Sequence, residues 1–192
     1  YFMLVNRRAV YEKSNIDHIP LKHVDLRFED AAPQTVCFEP DSQSHGVFGT
    51  HVALYDPYDD QIYKTISGVI DVEMGPGDGK LLQMCSTLPT LVTNDADIKK
   101  IAYLSGSITI DQGAEVTIHP ETTTNIIANS TIRVKGGSTL IISGMVEIAD
   151  SVSIIVESGS DIIFNNATCN WGINSILQVE NSGITATNTI FQ

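Results

Sequence analysis

Ile108-Thr109-Ile110-Asp111-Gln112-Gly113-Ala114-Glu115-Val116-Thr117-Ile118 is a phrase that this chain repeats. It returns as Ile132-Arg133-Val134-Lys135-Gly136-Gly137-Ser138-Thr139-Leu140-Ile141-Ile142, and again as Ile154-Ile155-Val156-Glu157-Ser158-Gly159-Ser160-Asp161-Ile162-Ile163-Phe164. Gly137 follows Gly113 by 24 residues and Gly159 follows Gly137 by 22, so two short alternating strands and one turn recur at a near-constant interval. That period is the signature of a β-solenoid, in which each pass of the chain stacks on the last. A fourth pass opens at Leu177-Gln178-Val179-Glu180, and after Ser182 the sequence slips out of the register of the first three. The expected coils lie near 108–131, 132–153, 154–176 and 177–192.

Stacking one coil about 4.8 Å above another puts equivalent residues into columns. Ile108, Ile132, Ile154 and Leu177 form one column; Ile110, Val134, Val156 and Val179 form the next. Val116, Leu140 and Ile162, with Ile118, Ile142 and Phe164, supply two more on the following strand. Alternation turns all four inward. Gly113, Gly137 and Gly159 fall together at one corner, which needs a positive φ or close backbone packing. The outward column Thr117, Ile141, Ile163 is unexpectedly apolar in two of its members, and with Ile155 nearby it reads either as a face covered by the sandwich, a next module or a protein partner, or as the β propensity of a partly exposed sheet.

Upstream, residues 1–88 lack the period but carry short β-like runs broken by Gly, Pro and Asp, as a β-sandwich would. Candidate strands are Phe2 to Asn6, Val24 to Phe28, Thr35 to Phe38, His51 to Tyr55, Ile62 to Ile66, Val69 to Met74 and Lys80 to Met84, with turns at Pro40-Asp41-Ser42 and Asp56-Pro57-Tyr58-Asp59-Asp60. Residues 89–97 read as a linker and 98–192 as the solenoid, with Lys99 to Leu104 as its N-terminal cap. The fold class is thus all-β: a sandwich, then a parallel β-helix of about four coils, incomplete at its C-terminal end. The opening strand-like run and the unfinished last coil read as a piece of a longer chain.

The stretch Val69-Ile70-Asp71-Val72-Glu73-Met74-Gly75-Pro76-Gly77-Asp78-Gly79-Lys80-Leu81-Leu82-Gln83-Met84 resembles the closing hairpin of the accessory sandwich that follows the catalytic domain in many secreted bacterial glycoside hydrolases. Tyr1-Phe2-Met3-Leu4-Val5-Asn6-Arg7 resembles an early strand of the same module. The resemblance implies a non-catalytic accessory role. The repeats resemble the right-handed parallel β-helix, or pectin-lyase-like, class of secreted and surface proteins. They are also similar to the region before the C-terminal signal in cargo of the type IX secretion system, although no such signal is visible. An extracellular location is what these resemblances imply.

Charge narrows the partners. The 192 residues hold 11 basic and 23 acidic side chains, a formal net charge of −12, with no Lys or Arg after Lys135. Such a surface repels phosphates, which excludes nucleic acid and disfavours anionic membranes. No apolar run approaches the ~18 residues of a membrane span, and the N-terminal run lacks the basic flank and cleavage site of a signal peptide. Cys37, Cys85 and Cys169 are too few and too scattered for a disulfide framework or a CxxC metal site; Cys37 and Cys85 read as buried thiols, with a bridge between them as the alternative.

Candidate chemistry is sparse. Asp56, Asp59 and Asp60 could offer oxygens to calcium, although Asp in such a loop also bonds its own backbone. The loop Gly75 to Lys80 fails as a phosphate loop, because Met74 stands where the first glycine belongs and Leu81 follows the lysine. Asp111, Lys135, Glu157 and Glu180 follow the first strand of successive coils, as a catalytic ladder or as a solvated edge of mixed charge. The histidines show no metal-binding pairing, and no serine or Cys37 sits in a nucleophile elbow. Tyr55, Tyr58, Tyr63 and Trp171 could stack on sugar, whereas Trp171 with Cys169 also suits a coil corner. No cofactor beyond calcium is expected, and no catalytic residue stands out. The expected role is a non-catalytic structural or presentation segment of a large secreted or cell-surface protein. The alternatives are a glycan-binding accessory part of a polysaccharide-processing enzyme and a surface adhesin.

Overall fold

The computed structural model describes residues 2–5, 33–65, 68–75 and 78–192. The candidate strand Val24 to Phe28 lies outside them. Ahead of the repeat come β1 (Phe2–Val5), β2 (Gln34–Phe38), α1 (Ser42–Phe48), β3 (Val52–Asp56), β4 (Gln61–Lys64), β5 (Ile70–Met74) and β6 (Gly79–Ser86). The short helix was expected as a turn. Asp41 caps it by accepting the backbone N–H of Ser44 at 2.8 Å, and Gly49 ends it at a positive φ of 100°.

β6 pairs antiparallel with β1 through Leu81 and Leu82 and with β3 through Met84 and Cys85, and β3 pairs in turn with β4. β2 and β5 form a separate antiparallel pair. Alternation on β5 sends Ile70, Val72 and Met74 inward and Asp71 and Glu73 outward. The inward set meets Leu54 and Leu82 in a small core flanked by Val36, Phe38, Tyr63 and Met84. The expected free-standing sandwich is not confirmed, since the larger of these sheets runs directly into the solenoid.

The solenoid has three strands per coil. Its first face stacks β7 (Leu91–Val92), β10 (Ser107–Ile110), β13 (Thr131–Val134), β15 (Ser153–Val156) and β17 (Ile176–Val179), all parallel. The second stacks β8 (Ala96–Ile98), β11 (Glu115–Ile118), the first halves of β14 (Thr139–Ile148) and β16 (Asp161–Trp171), and β18 (Gly183–Thr187). The third stacks β9 (Ile101–Leu104), β12 (Thr123–Ile126), the second halves of β14 and β16, and β19 (Ile190–Phe191). β14 and β16 turn the corner between the second and third faces without interruption, and their register shifts by a bulge between Ile142 and Gly144.

All four expected columns are present in register. Ile108, Ile132 and Ile154, Ile110, Val134 and Val156, and Val116, Leu140 and Ile162 are each at most 2% exposed. The stack nevertheless has about five coils rather than four. Residues 89–97, expected as a linker, contain β7 and β8, and the first face pairs back to Leu91 and Val92 through Thr109 and Ile110. Lys99 to Leu104, expected as the cap, contains β9 of that same coil. In the last coil the register is kept: Ile162 pairs with Ile184 and Phe164 with Ala186. The apparent slip is one residue missing from the turn at Asn181, after which the pairing resumes.

What closes the N-terminal end of the stack is the upstream region. Ser86 of β6 pairs in parallel with Ala102 of β9, and Gly49 makes an antiparallel bridge to Ile98. Leu88, 1% exposed, belongs to the solenoid core. One hydrogen-bonded sheet therefore runs β18-β16-β14-β12-β9-β6-β3-β4 through both regions. No helix among the described residues is long and apolar enough to cross a membrane.

Candidate functional site

The most site-like surface lies where β4, β5 and the start of β6 meet. Gln61, Tyr63, Asp71, Glu73, Asp78 and Lys80 line an open hollow of about 440 Å³. Alternation explains the membership, because Asp71 and Glu73 are the outward residues of β5 and the apolar residues between them hold the core beneath. Tyr63 donates its hydroxyl hydrogen to Gln61 Oε1 at 2.9 Å, and the Lys80 ammonium stands 5.8 Å from the Tyr63 ring centre.

Lys80 also fixes the neighbouring loop. Its Nζ donates to Asp59 Oδ2 at 2.8 Å and to Asp56 Oδ2 at 3.1 Å. The Asp59 hydrogen bond, aided by Tyr63 and Asp56, raises the Lys80 pKa well above its ordinary value. Asp56 is 1% exposed, and burial opposes its charge; the Lys80 ammonium and the backbone N–H groups of Tyr58 and Asp59 overcome this and lower its pKa. Asp60 accepts the hydroxyl hydrogen of Tyr55 at 2.9 Å, and the Tyr55 pKa is pushed up to about 12 by burial first and by Asp60 second.

The three aspartates proposed for calcium thus serve Lys80, Tyr55 and their own turn. Among the described residues no group of three or more His, Cys, Asp or Glu side chains is placed to hold a metal ion. His119 Nε2 lies 2.8 Å from Asp97 Oδ1, and His45 Nδ1 lies 3.3 Å from Gly49 O.

On the solenoid, the charged series following the first face resolves into local pairs. Lys135 Nζ lies 3.3 Å from Asp111 Oδ2, Arg133 pairs with Glu157, and Gln178 donates to Glu180. The Gln112 backbone N–H, then Lys135, lowers the Asp111 pKa. This is the solvated edge of mixed charge rather than a convergent ladder.

Gly113, Gly137 and Gly159 occupy one corner column with φ of 77°, 79° and 79°. A Cβ at Gly113 or Gly159 would meet nothing within 4 Å, and at Gly137 only the Gly159 carbonyl oxygen at 4.0 Å. The corner therefore needs the left-handed conformation, not the missing volume. The last coil places Asn181, φ 47°, there, and asparagine is among the side chains that tolerate that region.

The three isoleucines proposed to face a partner do not form one patch. Ile141 and Ile163 are half-buried neighbours on the outer side of the second face, between Thr117 and Thr185. Ile155 is on the outer side of the first face, between Arg133 and Gln178.

Of the thiols, Cys85 and Cys169 are fully buried, and burial pushes their pKa values up to about 12 and about 11. Cys37 is exposed on β2 rather than buried, and all three are free, so there is no bridge to Cys85. A hydrogen bond to Asp71 raises the Cys37 pKa. Trp171 is half-buried against the solenoid core next to Cys169, as the corner reading expects.

Tyr55, a candidate for sugar stacking, and several residues that no motif marked tie the two regions together. Tyr55 stacks on Tyr103 with ring centres 3.8 Å apart, and Lys64 Nζ donates to the carbonyls of Leu88 and Ser105 at 3.1 Å each. Ser86 Oγ donates to Lys99 O at 2.7 Å, and Thr87 Oγ1 to Tyr103 O at 2.9 Å. Each tie joins segments distant in sequence, so only the fold reveals it.

Comparison of the chain with protein-family models, with curated proteins and with solved structures finds no match.

Proposed function

We propose that this chain is a non-catalytic structural segment of a larger secreted or cell-surface protein, a right-handed parallel β-helix that holds adjacent modules at a fixed distance and orientation. The observation that carries this reading is the unbroken sheet β18-β16-β14-β12-β9-β6-β3-β4, which joins the upstream strands to the coils through backbone hydrogen bonds. A flexible linker would let the two regions reorient; a shared sheet with the Tyr55–Tyr103 stack and the Lys64 bridges resists it. Dyes placed at Tyr58 and Thr187 should report one narrow distance distribution by single-molecule energy transfer. A broad or two-peaked distribution under native conditions would remove the spacer reading.

A second reading is a glycan-binding accessory role, favoured by the hollow between β4, β5 and β6. Carboxylates, an amide and a tyrosine around an open cavity are groups that hydrogen-bond sugar hydroxyls and pack on their C–H faces. Glycan-array binding that Tyr63→Ala abolishes would establish it; an array without signal would leave the spacer role standing alone.

A further inference from the structure

We draw no further inference here: the strongest candidate, the end face of the fifth coil where Ile184 and Phe191 are about half exposed, carries nothing because nothing in the structure shows what covers it.

Discussion

The coils and the upstream strands solve the same burial problem by different means. In the coils every inward residue is covered by its counterpart one rung away, so Ile132 needs only Ile108 below and Ile154 above. The buried polar residues there are serines and threonines, such as Thr124, Ser138 and Ser160. Upstream, few strands enclose a small core, and Asp56 is the one charged residue that the described residues bury. The coils should therefore respond to loss of volume or of turn conformation, and the upstream region to loss of a specific partner.

Phe164→Ala should test the coil side hardest. Phe164 is fully buried and meets Phe191 edge-on at 5.1 Å, so truncation should cost about 3–5 kcal/mol. Amide exchange should show the loss concentrated in the last coils, because each coil contacts only its neighbours. Equal loss of protection in β3 and β6 would break the comparison.

The joint between the regions comes next. A Cβ at Gly49 would lie 2.1 Å from the Asp97 carbonyl oxygen, on a residue with φ of 100°. Gly49→Ala should cost about 3 kcal/mol by strain and forced displacement. Exchange at Ile98 and Lys99 should rise first. Unchanged protection there would mean that the Gly49 bridge does not seal the stack.

Lys80→Met probes the upstream region's dependence on a partner. It leaves the Asp56 carboxylate buried with only the two backbone donors, which should cost about 2–3 kcal/mol, less than a fully enclosed pair because Lys80 is partly exposed. The same pair predicts a pH window. The lowered Asp56 pKa adds stability that is complete above the unfolded carboxylate value, about 4, and is lost as pH falls through the folded one. The raised Lys80 pKa adds stability that is complete below about 10.4 and is lost as pH rises through its folded value. Acid should accordingly loosen β3 and β6 before the coils, with Lys80→Met flattening that difference. Simultaneous acid loss in both regions would contradict the assignment.

Gly137→Val should lower stability by about 2 kcal/mol, because a β-branched residue is forced to φ near 79°, whereas Gly137→Asn should cost under about 1 kcal/mol. Equal melting temperatures for the two variants would shift the cause from conformation to space. The smallest effect belongs to Lys135→Ala, within about 0.5 kcal/mol, since the Asp111 pair is solvated. A larger loss in thermal melting would mean that the outer edge of the coils depends on charge after all.

Much of the coil geometry was legible because its information is local and repeated. The inward columns and the corner glycines follow from periodicity alone. The first coil escaped because β7 and β8 are two and three residues long and lie only 18 residues before their partners Thr109 to Ile110, or 20 before Val116 to Ile118. The last turn misled because a missing residue near Asn181 looks like lost register until the pairing of Ile184 is seen. Upstream, the strands β3, β4, β5 and β6 were visible in outline. Their partners were not, because Lys80 reaches back to Asp56 and Lys64 reaches forward to Ser105 across dissimilar sequence. The hollow was invisible for the same reason: its members come from three strands and the turn before β6, and no spacing rule relates Tyr63 to Glu73.

The interval between coils has a mechanical consequence. After the shorter first coil, each turn of 22 to 24 residues gains one rung of height, about 4.8 Å, while holding about 75–85 Å of extended chain. Pulled at its two ends, the stack would be stiff until a coil yields and would then release roughly sixteen times the height that coil occupied. A short rod of this kind is also a folded length reserve, released in nearly equal increments.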